Sequence, residues 1–329
     1  MALRLRRVSA VAALMAIALA SVGCAQTGNG SSTPPTTGSS SATATPAAST
    51  TPTAQPTSTG TPAPVVAAAG DIACEPGSKP GSNCQQKAVS DAIIADTAIG
   101  TVLALGDGAY ENGTLSEYEN SYDKTWGRFK AKTRPVPGNH DYETARARGY
   151  YDYFGAAAGG RGKGYYSFNV GGWHFIALNS ENDIRADGAQ VAWLKADLKA
   201  NPNKCVAAYW HRPRWSSGVE HGDYPSVAPF VEALYKANAD LVLAGHEHNY
   251  ERFHPLNPAG RRDNSRGIVQ IVSGLGGKNQ YRVRGRATTA TKNDTSYGYS
   301  RIVLHPESAD ITFEPAVGTY RDSFKLICH

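Results

Sequence analysis

The sequence lacks three features that would each point to a class of protein. The apolar run at residues 8–22 is shorter than the roughly 20 residues that a membrane-spanning helix requires. No two cysteines have the CxxC spacing of a zinc–thiolate site. No basic block is interleaved with aromatic residues, so the sequence predicts no nucleic-acid-binding platform.

Residues 1–23 have the pattern of an export signal, because three arginines at residues 4–7 precede the apolar run. Cys24 follows a Ser-Val-Gly sequence that resembles the cleavage box of a bacterial lipoprotein, although Ser21 stands where that box usually has leucine. We therefore expect an exported protein with a lipid anchor at Cys24, held on the outer face of the cell membrane. Ordinary cleavage near Ala25 and secretion is the alternative.

Residues 24–64 form the second segment of the chain. From residue 25 onward it contains no charged residue and consists almost wholly of Ser, Thr, Pro, Ala, Gly and Gln. Such a composition buries too little apolar surface to offset the entropy of the chain, so we expect a disordered tether. The remaining residues, 65–329, are enough for one large α/β catalytic domain.

The net charge of this domain is small. The whole chain has 33 Lys and Arg residues against 28 Asp and Glu, a formal charge of +5. Three of the arginines belong to the predicted export signal, which leaves 30 basic residues and a charge of +2. The field of the whole protein would not attract an anionic substrate strongly, so a local site must do so.

The first half of the domain alternates predicted strands and helices. The strands are residues 65–69, 101–105 and 134–137, and the helices between them are residues 84–95 and 116–129. This βαβαβ pattern predicts parallel strands joined by right-handed crossovers.

The second half predicts a hairpin and further strands. Residues 165–170 and 173–178 surround a Gly-Gly turn, which is the pattern of a hairpin. The other predicted elements are helices at residues 189–200 and 227–237 and strands at residues 206–210, 241–244, 268–273, 299–304, 309–313 and 320–327. We predict an α/β fold in which two mixed β-sheets pack together and helices flank them.

The five cysteines fit an exported protein. If Cys24 carries lipid, the other four allow three disulfide pairings. The favoured pairs are Cys74–Cys84 and Cys205–Cys328. The first would close a short loop after Asp71, and the second would tie the C-terminus to the strand that leads to His211. Free thiols are the alternative.

Seven side chains that are able to bind metal follow short apolar runs of β-strand character. In chain order they are Asp71, Asp107, Tyr110, Asn139, His211, His246 and His248. Ligands gather at the strand ends of α/β sheets, so we expect these side chains to meet in one site. Carboxylate and phenolate suit a hard, highly charged cation, whereas imidazole suits Fe, Zn and Mn. The mixture indicates two adjacent metal ions.

The order of these motifs, GD, GDxxY, GNHD, xxxH and GHxH, resembles the metallophosphoesterase (calcineurin-like) superfamily. Within it, residues 245–252, GHEHNYER, resemble the purple acid phosphatases. Ordinary members begin with Asp-x-His, whereas here Asp71 is followed by Ile72 and Ala73, and Tyr110 is available instead. That exchange is the mark of the purple type. Ala73 and Ala208 depart from the residues that the family often has, but neither is a predicted ligand.

The resemblance implies a four-layer α/β/β/α sandwich and a role for each residue. Asp71, Tyr110 and His248 would hold Fe(III), Asn139, His211 and His246 would hold a divalent Fe, Zn or Mn ion, and Asp107 would bridge the two ions. His140 would point at the phosphate. A metal-bound hydroxide would attack in line, with His221, or alternatively His140, protonating the leaving group.

We therefore expect a phosphomonoesterase that acts on small phosphate esters outside the cytoplasm. A phosphodiesterase or nucleotide pyrophosphatase on the same metals is the first alternative. A surface-tethered phosphate-binding protein without turnover is the second. Glu251 and Arg252, at the end of the last motif, are expected to form a local ion pair rather than to take part in catalysis.

Overall fold

The computed structural model describes residues 62–81 and 83–329. The predicted export signal, the predicted lipidation site at Cys24 and all but the last residues of the predicted tether lie outside these ranges. Within the described ranges, no helix is both long enough and apolar enough to span a membrane.

Two mixed β-sheets form the centre of the described region. In chain order their strands are β1 (Val65–Ala69), β2 (Ile99–Leu105), β3 (Thr133–Val136), β4 (Tyr166–Val170), β5 (Trp173–Ala177), β6 (Cys205–Tyr209), β7 (Leu241–Ala244), β8 (Tyr250–Phe253), β9 (Val269–Ser273), β10 (Thr289–Asn293), β11 (Tyr297–His305), β12 (Ser308–Val317) and β13 (Asp322–Ile327). The first sheet has six strands in the order β13-β12-β11-β1-β2-β3, and the second has seven in the order β10-β8-β9-β7-β6-β5-β4. The predicted pair of mixed sheets is confirmed.

Helical segments connect the strands. The α-helices are α1 (Gln86–Ala95), α2 (Leu115–Glu117), α3 (Asp123–Thr125), α4 (Asn139–Glu143), α5 (Arg148–Phe154), α6 (Ala189–Ala200) and α7 (Ala228–Lys236). A π-helical turn spans Tyr118–Tyr122, and 3-10 turns span Trp126–Lys132, Ala145–Ala147, Gly155–Ala158 and Pro225–Val227.

The parallel part of each sheet brings several strand ends to one edge. β1 pairs in parallel with β2, and β2 with β3, as the βαβαβ pattern predicts. In the second sheet β5, β6, β7 and β9 are parallel neighbours. The segments in which the sequence predicts metal ligands follow the carboxyl ends of β1, β2, β3, β6 and β7.

Side chains of β1 alternate between two cores. Val66 and Ala68 are buried between the two sheets, in one cluster with Phe175 of the second sheet. Ala67 belongs to the cluster on the other face of the first sheet, together with Val89 of α1. A third cluster joins α6 and α7 to the outer face of the second sheet. Burying one large aliphatic or aromatic side chain contributes about 1.5–3 kcal/mol, so the three cores hold the four layers together.

The prediction of a single helix at residues 116–129 is wrong. α2 is followed by the π-helical turn, then by α3 and a 3-10 segment. The rings of Tyr118 and Tyr122 each lie 5.5 Å from the ring of Phe154, measured between centroids. The chain leaves regular α-helical geometry where these large rings enter the core, because their packing outweighs the helical period. α4, α5, β8 and β10 are too short to give a clear periodic signal and have no predicted counterpart.

The two favoured disulfides are confirmed. Cys74 is bonded to Cys84, with 6.1 Å between their Cα atoms, and Cys205 to Cys328, with 5.3 Å. The first bond closes the loop after β1, and the second ties the C-terminus to the start of β6.

The prediction of an ion pair between Glu251 and Arg252 is wrong. Neighbouring residues on β8 point to opposite faces of the sheet, so the two side chains cannot meet. Nε of Arg252 lies 2.6 Å from Oδ2 of Asp322. Glu251 instead accepts hydrogen bonds from the backbone N–H and the hydroxyl of Ser217, at 2.7 and 2.5 Å.

Candidate metal centre

Three of the predicted ligands occupy strained backbone positions at the same edge of the sheets. Asp71, Asp107 and His246 each follow a strand and a single glycine, and their φ angles are 60°, 48° and 72°. For a residue other than glycine, this left-handed conformation costs on the order of 1–3 kcal/mol. Such strain persists only where the surrounding fold imposes it, and it is typical of functional sites.

Two glycines allow these side chains to approach each other. A Cβ atom on Gly106 would lie 2.5 Å from Nδ1 of His211, and a Cβ atom on Gly138 would lie 2.2 Å from Oδ1 of Asp107. No side chain fits at either position. The glycines of the GDxxY and GNHD motifs therefore make room for the neighbouring ligand side chains.

The first group of donor atoms surrounds the hydroxyl of Tyr110. This oxygen lies 3.1 Å from Oδ1 of Asp71, 3.2 Å from Oδ2 of Asp107 and 3.0 Å from Nε2 of His248. Nε2 of His248 is also 3.4 Å from Oδ1 of Asp71. All four side chains are buried.

The second group begins at the same Asp107. Its Oδ2 lies 3.2 Å from Nε2 of His211, and that nitrogen lies 3.1 Å from Oδ1 of Asn139. Ligand atoms of Asp107, His211 and His246 all lie within 4.8 Å of one another. The structure thus brings all seven predicted side chains together, with Asp107 common to both groups.

Backbone hydrogen bonds orient the histidines from behind. Nδ1 of His211 donates to the carbonyl of Leu105 at 2.9 Å, and Nδ1 of His248 donates to the carbonyl of Asn279 at 2.6 Å. Both rings therefore turn Nε2 toward the cluster. Metal-binding histidines are commonly held in this way.

Backbone N–H groups also orient the two carboxylates. The N–H of His246 donates to Oδ2 of Asp71 at 2.8 Å, and the N–H of His140 donates to Oδ1 of Asp107 at 2.9 Å. One oxygen of each carboxylate is thereby fixed, and the other faces the phenol.

The carboxyl groups of this cluster differ in pKa. Burial raises the pKa of Asp71 to about 7, with the charge of Asp107 adding to the rise and His211 opposing it. Burial acts on Asp107 in the same direction, but the charge and hydrogen bond of His211 outweigh it and hold the pKa of Asp107 below its usual range. Asp107 and His211 thus form the charged pair at the centre.

The other ring groups are held neutral. Burial lowers the pKa of His248 to about 3 and lowers that of His246 as well, with His211 and Arg212 adding to the shift at His246. Burial, Asp107 and Asp71 raise the pKa of Tyr110 above its usual value. Neutral imidazoles have a free lone pair, which is the form that binds a cation.

The donor set fits transition-metal chemistry. Two carboxylates, one phenol, three imidazoles and one amide oxygen are ligand types that suit Fe, Zn and Mn. They form two overlapping groups that share one carboxylate, as an arrangement of two adjacent ions requires.

His140 and His221 each pack against a different ligand of the cluster. The ring of His140 is 4.5 Å from that of Tyr110, and its Nδ1 donates to the carbonyl of Glu111 at 2.6 Å. The ring of His221 stacks on that of His246, with 4.2 Å between centroids. His221 is largely exposed, but the part of its ring that is shielded from solvent, together with the charge of Arg212, lowers its pKa.

Glu247, which sequence analysis does not identify, fixes the loop that carries His221. It is fully buried between the two histidines of the GHEH motif, and its Oε1 accepts the backbone N–H of His221 at 3.0 Å and that of Gly222. Gly218 of the same loop lies directly against the Glu247 carboxylate: a Cβ atom at this position would be 2.1 Å from Oε2. The one feature of the sequence that could have indicated this role is that Glu247 lies between two predicted metal ligands, His246 and His248.

Two cationic side chains flank the cluster, and sequence analysis identifies neither. Nη1 of Arg212 lies 3.1 Å from Nε2 of His246. Nζ of Lys278 lies 4.6 Å from the centre of the Tyr110 ring. Arg212 directly follows a predicted ligand in the sequence, whereas nothing near Lys278 indicates its position.

The comparison with known families agrees with this geometry. The family model described as calcineurin-like phosphoesterase matches residues 65–250, more than half of the chain. The chain belongs to the calcineurin-like phosphoesterase family. The resemblance stated from the motifs is therefore confirmed.

Curated relatives of the chain include purple acid phosphatases. Purple acid phosphatase 23 of Arabidopsis thaliana is 32% identical over 166 residues, which cover 44% of this chain and 36% of the relative. Probable purple acid phosphatase 20 of the same plant is 35% identical over 167 residues, which cover 43% of this chain and 39% of the relative. The match thus spans less than half of either relative.

Solved structures support the fold of this chain. Purple acid phosphatase PPD1 from yellow lupin (Lupinus luteus) seeds matches with a TM-score of 0.67 and 19% identity, over 80% of this chain and 53% of that chain. At this identity the likeness shows the fold alone. It confirms the predicted architecture of two packed mixed sheets flanked by helices.

Proposed function

We propose that this protein is a metal-dependent phosphomonoesterase of the purple acid phosphatase type. The observation that carries the proposal is the position of the Tyr110 hydroxyl, 3.0–3.2 Å from donor atoms of Asp71, Asp107 and His248. A phenol in this position replaces the histidine that ordinary members of the superfamily use. The purple acid phosphatases among its relatives support the same conclusion.

Two metal ions would lie in the two groups of donors. Asp71, Tyr110 and His248 would hold Fe(III), Asn139, His211 and His246 would hold a divalent Fe, Zn or Mn ion, and Asp107 would bridge them. Burial and the two carboxylates raise the pKa of Tyr110, so a highly charged cation would be needed to stabilise its phenolate form. A cation at Nε2 of His211 would displace the proton that Asp107 favours there, and metal binding would release it.

The ions would neutralise charge on the transferring phosphoryl group and lower the pKa of coordinated water. The side chains around them supply the remaining steps. His140, beside Tyr110 with its Nδ1 donating to a carbonyl, would in its imidazolium form donate from Nε2 to a phosphate oxygen. His221 lies on an exposed loop beside His246 and would protonate the departing alkoxide, and its lowered pKa makes it a stronger acid.

The predicted export signal and tether would place this activity outside the cytoplasm. Cys24 would carry the lipid anchor, and cleavage near Ala25 with secretion is the alternative. The two disulfides support an oxidising location, because such bonds form and persist in exported proteins.

The full-length protein, reconstituted with iron and zinc, tests the proposal. We expect two metal ions per chain by elemental analysis, and faster turnover of p-nitrophenyl phosphate than of bis(p-nitrophenyl) phosphate. Faster turnover of the diester would identify a phosphodiesterase instead. Binding of inorganic phosphate without turnover of either ester would identify a phosphate-binding protein, and retention of neither metal would refute the proposed site.

A further inference from the structure

A guanidinium group is built into the edge of the proposed centre. Arg212 follows His211 directly, and its Nη1 lies 3.1 Å from Nε2 of His246. Arg212 is partly buried, with 23% of its side chain exposed. In the described residues, it is the one arginine that hydrogen-bonds to a proposed metal ligand through its side chain.

An ion pair with Glu181 fixes the orientation of this guanidinium. Nε of Arg212 lies 3.0 Å from both carboxylate oxygens of Glu181, whose side chain is only 10% exposed. The backbone N–H of Arg212 donates to the hydroxyl of Ser180 at 3.1 Å, and that hydroxyl donates to Oε1 of Glu181 at 2.9 Å. The Arg212 group also lies over the ring of Tyr224, 5.0 Å from its centre. These contacts engage Nε and one face of the guanidinium, and Nη1 is directed at His246.

The charge of Arg212 is unfavourable beside a cation. With Nη1 only 3.1 Å from Nε2 of His246, it would repel a divalent ion held by that nitrogen. A cation at Nε2 of His246 would also take the lone pair to which Nη1 now donates. Nη1 would then need another acceptor, either water or an anion at the centre. A phosphate group supplies both the charge and the oxygen acceptors.

We propose that Arg212, oriented by Glu181, contacts the phosphate group of the substrate and is a specificity-determining residue for phosphate esters. This inference rests on the proposed function, because it requires a phosphate ester at the metal centre. Arg212 binds the phosphate through charge-assisted hydrogen bonds from its Nη atoms, and Glu181 keeps the planar group in position. A lysine there retains a point charge but loses the planar arrangement of donors.

Calorimetric binding of inorganic phosphate to the metal-loaded protein tests the assignment. We expect Arg212→Ala to weaken phosphate binding about 10- to 100-fold, the range expected for loss of one charge-assisted hydrogen-bonding group. Arg212→Lys should weaken it less, and Glu181→Ala should weaken it severalfold while leaving Arg212 in place. Arg214→Ala is the matched control, because Arg214 lies two residues further along the loop and its guanidinium stacks on Trp215.

The outcomes are distinct. Turnover of p-nitrophenyl phosphate by the unaltered protein tests the proposed function separately from this inference. With that turnover present, phosphate binding by Arg212→Ala within twofold of the unaltered protein would overturn the role of Arg212. An equal loss of phosphate affinity in Arg214→Ala would also overturn it, since the loss would then come from removing any positive charge near the site. If Arg212→Ala fails to retain metal, Arg212→Lys decides: unchanged phosphate affinity in that variant refutes the assignment, and weaker affinity with both metals bound supports it.

Discussion

The hydroxyl of Tyr110 lies 3.0 Å from Nε2 of His248, although 138 positions separate the two residues. The contact joins the end of β2, in the first sheet, to the loop after β7, in the second sheet. It exists only because the two sheets pack face to face with their strand ends at one edge. The proposed ferric site is therefore a product of the sheet packing and not of any one motif.

Removal of the phenol tests this site most directly. We expect Tyr110→Phe to abolish the visible colour that a tyrosinate–Fe(III) pair produces. We also expect it to weaken iron binding by more than the roughly 10- to 100-fold that loss of an outer partner of a ligand costs. Absorption spectra and elemental analysis of the reconstituted protein measure both effects. Tyr165→Phe is the control, because Tyr165 packs against Trp193 away from the centre, and an unchanged spectrum in Tyr110→Phe would refute the ferric assignment.

His221 is predicted to act on the leaving group. We expect His221→Ala to lower kcat by about 100- to 10,000-fold for esters of simple alcohols, the usual contribution of a general acid. The loss should be much smaller for p-nitrophenyl phosphate, whose leaving group needs no proton. Kinetics over leaving groups of rising pKa measure the difference, with His254→Ala as a control outside the cluster. The same rate loss for every ester would argue against proton donation.

Glu247 is predicted to act through the loop of His221. It accepts the backbone N–H groups of His221 and Gly222, so its removal should free the loop. We expect Glu247→Ala to lower kcat for alkyl esters about 10- to 100-fold, since one charge-assisted hydrogen bond contributes about 1.5–3 kcal/mol. Glu247→Gln retains a carbonyl acceptor and should restore most of the rate.

The dependence of the Glu247→Ala rate loss on the leaving group shows whether Glu247 positions His221 or supports metal binding. The loss in Glu247→Ala should grow with the pKa of the leaving group, as for His221→Ala, while both metals remain bound. A loss that is equal for all esters, or one that follows the metal content, would indicate that Glu247 only supports the adjacent ligands His246 and His248.

The candidate site could be predicted from sequence because its parts lie at strand ends. Short apolar runs predict the strands, and polar residues that follow a glycine, such as Asp71 and Asp107, mark the edge at which parallel strands meet. The pattern places ligands at the edge of each sheet, but the meeting of Tyr110 with His248 depends on how the two sheets pack. A single site also requires that segments distant in sequence come into contact, and the short distances from the Tyr110 hydroxyl to Asp71 and His248 show that they do.

Other features depend on contacts that no local pattern encodes. The helix predicted at residues 116–129 gives way to short turns because Tyr118 and Tyr122 pack against Phe154, which is distant in sequence. Arg252 pairs with Asp322 across 70 positions rather than with its neighbour. The roles of Arg212 and Glu247 likewise arise from loops that fold back on the strand ends.

The glycine at residue 106 provides a matched test of how closely the ligands pack. Gly106 and Gly172 have nearly the same φ, +88° and +86°, but a Cβ on Gly106 would lie 2.5 Å from the His211 ring, whereas a Cβ on Gly172 would have nothing within 4 Å. Both alanine variants lose about 1–2 kcal/mol of unfolding free energy through the left-handed backbone. Gly106→Ala should lose about 1–3 kcal/mol more, because His211 must move. Urea unfolding measures the difference, and elemental analysis should find the divalent ion depleted in Gly106→Ala alone. Equal stability and equal metal content in the two variants would mean that His211 does not pack against this glycine.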